Sequence, residues 1–212
     1  MIILFDLDGT LIESTNAIVS TFHHAYDIQG SVHPSDEAIK SLIGYPLDIM
    51  FSKLGVEENR VWDYVDSYKQ RYRTISKTHT ELLPWTKEAV ELASHFATLG
   101  VVTTKTGLYS QELMEHFGIM DYFSTLIGRE HVENPKPHEE PILKALENIG
   151  IKDDDVWMIG DTKLDLLSAK NAGVNSIGVL SGYDQKEILE KYTDHIFGNA
   201  LDAVKYLKNS FQ

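Results

Sequence analysis

The chain has 212 residues, is 42% hydrophobic and carries a formal net charge of −13. That length can bury one sizeable core, or a core with a smaller attached domain. The negative balance repels phosphate backbones and anionic lipid, which argues against nucleic acid or a membrane as partner, and a chain without cysteine has no disulfide, thiolate zinc site or cysteine nucleophile.

The opening run Ile2–Phe5 reads as a buried strand that stops at Asp6. It is too short for a signal peptide or a membrane span, and no later apolar stretch approaches spanning length, so a cytoplasmic enzyme is expected. From Ser14 to Thr80 the pattern is helical. Ser14 or Thr15 can cap a helix carrying Ile18, Phe22 and Ala25, and Pro34-Ser35 can start another. Val61, Tyr64, Val65, Tyr68, Tyr72 and Ile75 then follow three-and-four spacing, which predicts a helix with one buried face. Packing within the insert is the ordinary reading of those aromatics.

Beyond residue 80 the rhythm changes to strands alternating with helices. Strands are predicted over Val101–Thr104, Phe123–Ile127, Val156–Ile159 and Asn175–Val179, with a weaker one near His195–Phe197. Ala89, Leu92, Ala93, Phe96 and Leu99 make one helical stripe; Leu143, Leu146 and Ile149 make another. Strands that are apolar runs rather than alternations indicate a parallel sheet covered on both faces. The expected fold is therefore a doubly wound, Rossmann-like α/β core formed by residues 1–13 and 81–212, interrupted by an all-helical domain over 14–80.

The strongest chemical signal is Phe5-Asp6-Leu7-Asp8-Gly9-Thr10-Leu11, two carboxylates where a buried strand runs into a glycine turn. Open α/β sheets bind ligands at the carboxyl ends of their strands. Chance agreement with Asp-x-Asp-Gly-Thr is on the order of a few in a thousand for such a chain. A calcium loop is excluded because Ala17 stands where its bidentate glutamate belongs. The second signal is Ile159-Gly160-Asp161-Thr162-Lys163-Leu164-Asp165, again a strand running into an aspartate, with Asp165 in the first turn of a helix. Taken singly, Asp165 reads equally well as a residue favoured at a helix N-terminus. So many carboxylates at one sheet edge repel one another unless a hard cation joins them, and an all-oxygen set points to Mg²⁺. The histidines show no His-x-x-x-His spacing, so zinc is not indicated. Val101-Val102-Thr103-Thr104-Lys105 supplies hydroxyls and a cation, and Lys136 lies between Pro135 and Pro137.

These four segments, in this order, resemble the haloacid dehalogenase-like hydrolase superfamily. The match is to its branch with a helical cap after the first strand, which includes phosphoglycolate phosphatases and related pyrophosphatases. The resemblance implies Asp6 as nucleophile, Asp8 as general acid/base and Lys136 as the charge-neutralising lysine. It implies Thr103 as a phosphate-binding hydroxyl, joined by Thr104, Lys105 and the backbone around Leu7. Asp6, Asp161, Asp165 and Asp8, the last through its carbonyl, are the implied Mg²⁺ site. An aspartate at position 8 separates phosphatases from the dehalogenase and phosphonatase branches. Ile43-Gly44-Tyr45-Pro46-Leu47 is similar to a cap loop of that branch, which makes Gly44 and Tyr45 expected substrate contacts. Arg71, Arg73 and Lys105 are candidates for a second anionic group. The implied activity is Mg²⁺-dependent hydrolysis of a small phosphorylated metabolite through an aspartyl-phosphate. Inorganic pyrophosphate, a sugar phosphate (hydrolysis or mutase chemistry) and a non-catalytic phosphate- or metal-binding module are the alternatives. The sequence leaves the oligomeric state open.

Overall fold

The structure is a computed structural model and describes residues 1–150 and 155–210. Its strands are β1 (Ile2–Phe5), β2 (Ile12–Glu13), β3 (Glu81–Leu82), β4 (Thr98–Val102), β5 (Phe123–Ile127), β6 (Val156–Gly160), β7 (Asn175–Val179) and β8 (Ile196–Phe197). Its helices are α1 (Thr15–Ile28), α2 (Asp36–Lys40), α3 (Leu47–Lys53), α4 (Val61–His79), α5 (Thr86–Ser94), α6 (Gly107–Phe117), α7 (Glu140–Ile149), α8 (Lys163–Ala172), α9 (Lys186–Leu189) and α10 (Ala200–Ser210). Two compact units result, one of Met1–Ile12 with Leu82–Gln212, the other of Glu13–Glu81.

The larger unit is built on a six-stranded sheet in the order β5-β4-β1-β6-β7-β8, and every pairing in it is parallel. Successive strand residues point to opposite faces, and β1 shows why all four of its residues are apolar. Ile3 and Phe5 join one core with Ala89 and Val90 of α5, Leu113 and Met114 of α6, and Val204 and Leu207 of α10. Ile2 and Leu4 join the other with Ile142 and Ala145 of α7 and Ala169 of α8. Strand order reverses at β1, which has β4 on one side and β6 on the other. Such a switch point opens a crevice at the strands' carboxyl ends, where Asp6 follows β1.

Within the helical unit, α1 and α4 pack along each other, with α3 against α4. The aromatic stripe fills this core: Phe22 lies 4.5 Å from Phe51 and 5.1 Å from Tyr68, ring centroid to centroid. Ser14 precedes α1, and the Ser35 side chain accepts the Ala38 N–H at 3.2 Å to cap α2.

Two expectations need correction. The stripe over residues 89–99 is not one helix: α5 ends at Ser94, and Leu99 belongs to β4, which begins three residues before the predicted strand and ends at Val102. The apolar spacing continued through the turn, so periodicity alone could not see the break. Leu143 is 45% exposed; α7 buries Pro141, Ile142 and Ala145 instead.

Candidate active site

Asp6, Asp8, Thr103, Thr104, Lys105 and Asp161 follow the carboxyl ends of β1, β4 and β6, Lys136 lies farther along the segment after β5, and Asp165 is in the first turn of α8. The Asp6 N–H donates to the Ile159 carbonyl at 2.9 Å, so the first aspartate is still tied to β6 when the chain turns. The turn closes through the Leu7 carbonyl, which accepts from Leu11 N–H at 2.9 Å and Ile12 N–H at 3.0 Å. Gly9 adopts φ +83°, and a Cβ there would lie 2.4 Å from Asp161 Oδ2. Only glycine meets both conditions.

Asp6, Asp161 and Asp165 are buried, and each presents a carboxylate oxygen within 4.8 Å of the other two. Lys136 reaches into this group, 97% shielded from solvent. Its Nζ donates to Asp6 Oδ1 at 2.7 Å, to the Val102 carbonyl at 2.9 Å and to Asp165 Oδ1. The other oxygen of Asp165 accepts the Thr162 N–H at 3.0 Å and the Thr162 hydroxyl at 2.7 Å, which closes a capping box on α8. Asp165 therefore stands with the acids and also holds the lysine and the helix end.

One ammonium against three buried carboxylates leaves unbalanced negative charge. Burial pushes the Asp6 carboxyl up to about 7, Lys136 opposes the shift, and Asp165 and Asp8 add to it. Asp161 is raised well above the carboxylate range by burial and by repulsion from Asp6 and Asp165. For Lys136, burial pulls downward, but Asp165 and Asp6 outweigh it and the net shift is upward. Unrelieved repulsion in a dry, all-oxygen cluster of Asp6, Asp161 and Asp165 is the kind of site that could hold a hard divalent cation.

The remaining predicted residues separate into neighbours and outliers. The Asp8 carboxylate is not part of the acidic group; its Oδ2 lies 3.0 Å from Lys105 Nζ, and both side chains are largely buried. Thr103 is buried directly after β4, its hydroxyl accepting the Lys105 N–H at 3.2 Å, and Thr104 stands between them. Gly44 and Tyr45 belong to the helical unit, before α3, where Lys53 lies 5.3 Å over the Tyr45 ring. Arg71 and Arg73 are exposed on α4.

Two contributions escaped the sequence reading. The Thr10 hydroxyl donates to Asp161 Oδ1 at 2.9 Å. After β7, the Tyr183 N–H donates to Asp161 Oδ2 at 2.9 Å, and a Cβ on Gly182 would fall 1.9 Å from that same oxygen. The Ser181 hydroxyl ties this loop to the Gly9 carbonyl at 2.8 Å. A glycine just past a core strand was the available signal.

The family model for haloacid dehalogenase-like hydrolases matches residues 3–179. The chain belongs to the haloacid dehalogenase-like hydrolases. A pyrophosphatase PpaX of Bacillus cereus is 31% identical over 98% of this chain and 96% of its own length. A phosphoglycolate phosphatase of Photorhabdus laumondii is 28% identical over 87% of this chain and 82% of its own. Among solved structures, a haloacid dehalogenase-like family hydrolase from Streptococcus pneumoniae superposes with a TM-score of 0.87 at 26% identity, covering 97% of each chain. The doubly wound core is thus that of a hydrolase family whose named relatives are phosphatases. Among the described residues, no helix is long and apolar enough to cross a membrane.

Proposed function

We propose that this hydrolase is a Mg²⁺-dependent phosphomonoesterase acting on a small phosphorylated metabolite. The observation that carries the reading is the pairing of each aspartate of the first motif with a different lysine, Asp6 with Lys136 and Asp8 with Lys105. That pairing supports reading Asp6, among acids that could hold a metal, as the nucleophile and Asp8, apart from them, as the acid/base. Mg²⁺ held by Asp6 and Asp161, with Asp165 beside them, would supply positive charge against a phosphoryl dianion.

In the reaction the Asp6 carboxylate attacks phosphorus and the bond to the leaving oxygen breaks, giving an aspartyl-phosphate. Asp8, which has to be protonated once the substrate is bound, gives its proton to the leaving oxygen. It then takes a proton from water, which attacks phosphorus and breaks the Asp6–phosphorus bond. The Thr103 hydroxyl takes a phosphoryl oxygen, joined by backbone N–H groups at Leu7, Asp8 and Thr104, while Lys136, whose three N–H groups go to Asp6, Val102 and Asp165, neutralises charge beside the nucleophile. Gly44 and Tyr45 belong to the proposal as substrate contacts.

Pyrophosphate is the second reading, favoured by the near full-length likeness to a protein named pyrophosphatase. Both readings are tested by phosphate release from 2-phosphoglycolate, pyrophosphate, glucose 6-phosphate and a nucleoside monophosphate, with Mg²⁺ and with a chelator. Release that needs the metal and disappears in D6N is the expected result. Full activity in D6N would remove the nucleophile assignment, and the preferred substrate decides between the two readings.

A further inference from the structure

A second layer of contacts lies behind Lys105, on the loop that follows β5. The Arg129 N–H donates to the Lys105 carbonyl at 2.9 Å. The Glu130 carboxylate accepts the first two N–H groups of α6, from Gly107 at 2.8 Å and Leu108 at 3.3 Å. The two loops meet backbone to backbone: a Cβ on Gly128 would lie 2.3 Å from the Gly107 nitrogen and 2.9 Å from the Lys105 carbonyl oxygen. The Gly128 N–H donates to His131 Nδ1 at 3.0 Å, which closes the clamp on itself. Burial tends to raise the Glu130 carboxyl, but the α6 N–H groups outweigh it and hold it below the usual glutamate range. The segment Thr103–Gly107 is thereby gripped at its carbonyl and at its helix end, and its one lysine reaches Asp8 at 3.0 Å.

We propose that Glu130 is a positioning residue for leaving-group protonation: it fixes the loop that aims Lys105 at Asp8, and so sets where the Asp8 carboxyl stands. This rests on reading Asp8 as the acid/base of a phosphatase. Glu130 touches neither substrate nor metal in this scheme. Its effect passes through a covalently short path, from the α6 N-terminus to Lys105 two residues earlier, and from there to Asp8. An alkyl phosphate, whose alkoxide is a poor leaving group, needs a proton delivered to its leaving oxygen, whereas p-nitrophenyl phosphate does not. Misplacing Asp8 therefore has to penalise the first substrate and spare the second.

The test uses the full chain with Mg²⁺, glycerol 2-phosphate and p-nitrophenyl phosphate, in the wild type, D8N, E130Q, E130A, K105M and E130Q/K105M. E130Q keeps the side chain's length and one acceptor oxygen, so it carries the test if E130A fails to fold. The expected result is a fall in kcat of about tenfold on glycerol 2-phosphate, with less than about twofold on p-nitrophenyl phosphate and KM little changed; displacements near an ångström at a reacting group reach this size. E130Q should add nothing in the K105M background, because both act through one path. An equal loss on the two substrates, no loss on either, or additive losses with K105M would overturn the inference. A wild type inactive on both substrates and on the phosphate esters named above, or a D8N without the leaving-group split, would sink the phosphatase reading itself. A split in D8N that E130Q does not share would sink only the role of Glu130.

Discussion

Replacing Gly182 by alanine isolates the hold on Asp161 from the stability of the fold. The added Cβ would meet Asp161 Oδ2 at 1.9 Å, Cγ at 2.3 Å and Cβ at 2.7 Å. Reaching an ordinary contact near 3.4 Å requires the carboxylate to retreat by about 1.5 Å, far outside the ~0.2 Å tolerance of metal–ligand distances. Gly182 is exposed and has no left-handed φ, so alanine meets no backbone penalty there. Asp161 is the part that has to give, pulling against the Tyr183 N–H and the Thr10 hydroxyl. The expected outcome is a loss of about 10²-fold in kcat/KM, with the half-saturating Mg²⁺ concentration raised about 10–100-fold. Thermal unfolding without metal should shift little. Gly150 is the control: alanine meets nothing within 4 Å there but must adopt φ +69°, so that variant should lose roughly 1 kcal/mol of stability at unchanged kcat. Phosphate release titrated with Mg²⁺, alongside unfolding curves of both variants, provides the assay. A G182A protein with wild-type Mg²⁺ dependence would refute the placement of Asp161 as a metal ligand held by this loop.

Four further outcomes are expected. Burial and neighbouring carboxylates push Asp6 up to about 7 and Asp161 well above the carboxylate range, so Mg²⁺ has to displace protons; its affinity should rise with pH through neutrality, with proton release measurable in weak buffer. The sign for stability is the reverse: the folded state binds the Asp6 proton more tightly than the unfolded one, so the metal-free protein should lose stability as pH rises from about 4 to about 7, and Mg²⁺ should restore it. D165N removes one of the two carboxylates on Lys136 but leaves the lysine paired with Asp6. Lost attraction and relieved carboxylate repulsion oppose each other, so the metal-free protein should lose no more than about 1 kcal/mol, and a loss of several kcal/mol in its unfolding curve would show that Asp165 is the lysine's main partner. Tyr26 buries a hydroxyl with no hydrogen-bond partner among the described residues, so Y26F should leave stability unchanged or raise it by up to about 1 kcal/mol, and a clear loss in denaturant unfolding would mean the hydroxyl is satisfied.

How much of this could be read beforehand depended on where the information lay. Strands β1, β5 and β7 are apolar runs bounded by turn or charged residues, and their ends coincide with the predicted ones. The stripe from Val61 to Ile75 repeats its spacing for four turns, and α4 buries all six residues. Asp6, Asp8, Thr103, Lys105, Lys136, Asp161 and Asp165 were visible because each carries its chemistry in the side chain and follows, or nearly follows, a strand. The supports around them were not. Gly182 acts by what it lacks, Tyr183 through a backbone N–H, and Glu130 by a carboxylate spent on a helix end. None of these has a composition or a period to betray it, since each depends on loops from distant parts of the chain arriving side by side. Lys105 was legible as a cation near the site, but not as the partner of Asp8.

That partnership bears on how two aspartates separated by one residue can serve opposite tasks. In an extended strand they would point the same way and share one environment. Here the strand ends at Phe5, and the turn stabilised by Gly9 at φ +83° carries Asp8 away from the sheet axis. Asp6 stays with Lys136, Asp161 and Asp165, where burial and repulsion strain its charge until a cation relieves it. Asp8 pairs with Lys105, which follows β4, and its carboxylate lies outside the acidic group. Under the proposed mechanism, Lys136 from the segment after β5 and Lys105 from the loop after β4 divide two neighbouring carboxyls between a metal-bearing side and a proton-transferring side. A nucleophile has to remain ionised while its neighbour gains and loses a proton, and exchanging either lysine for a neutral residue should blur that division before it disturbs the fold.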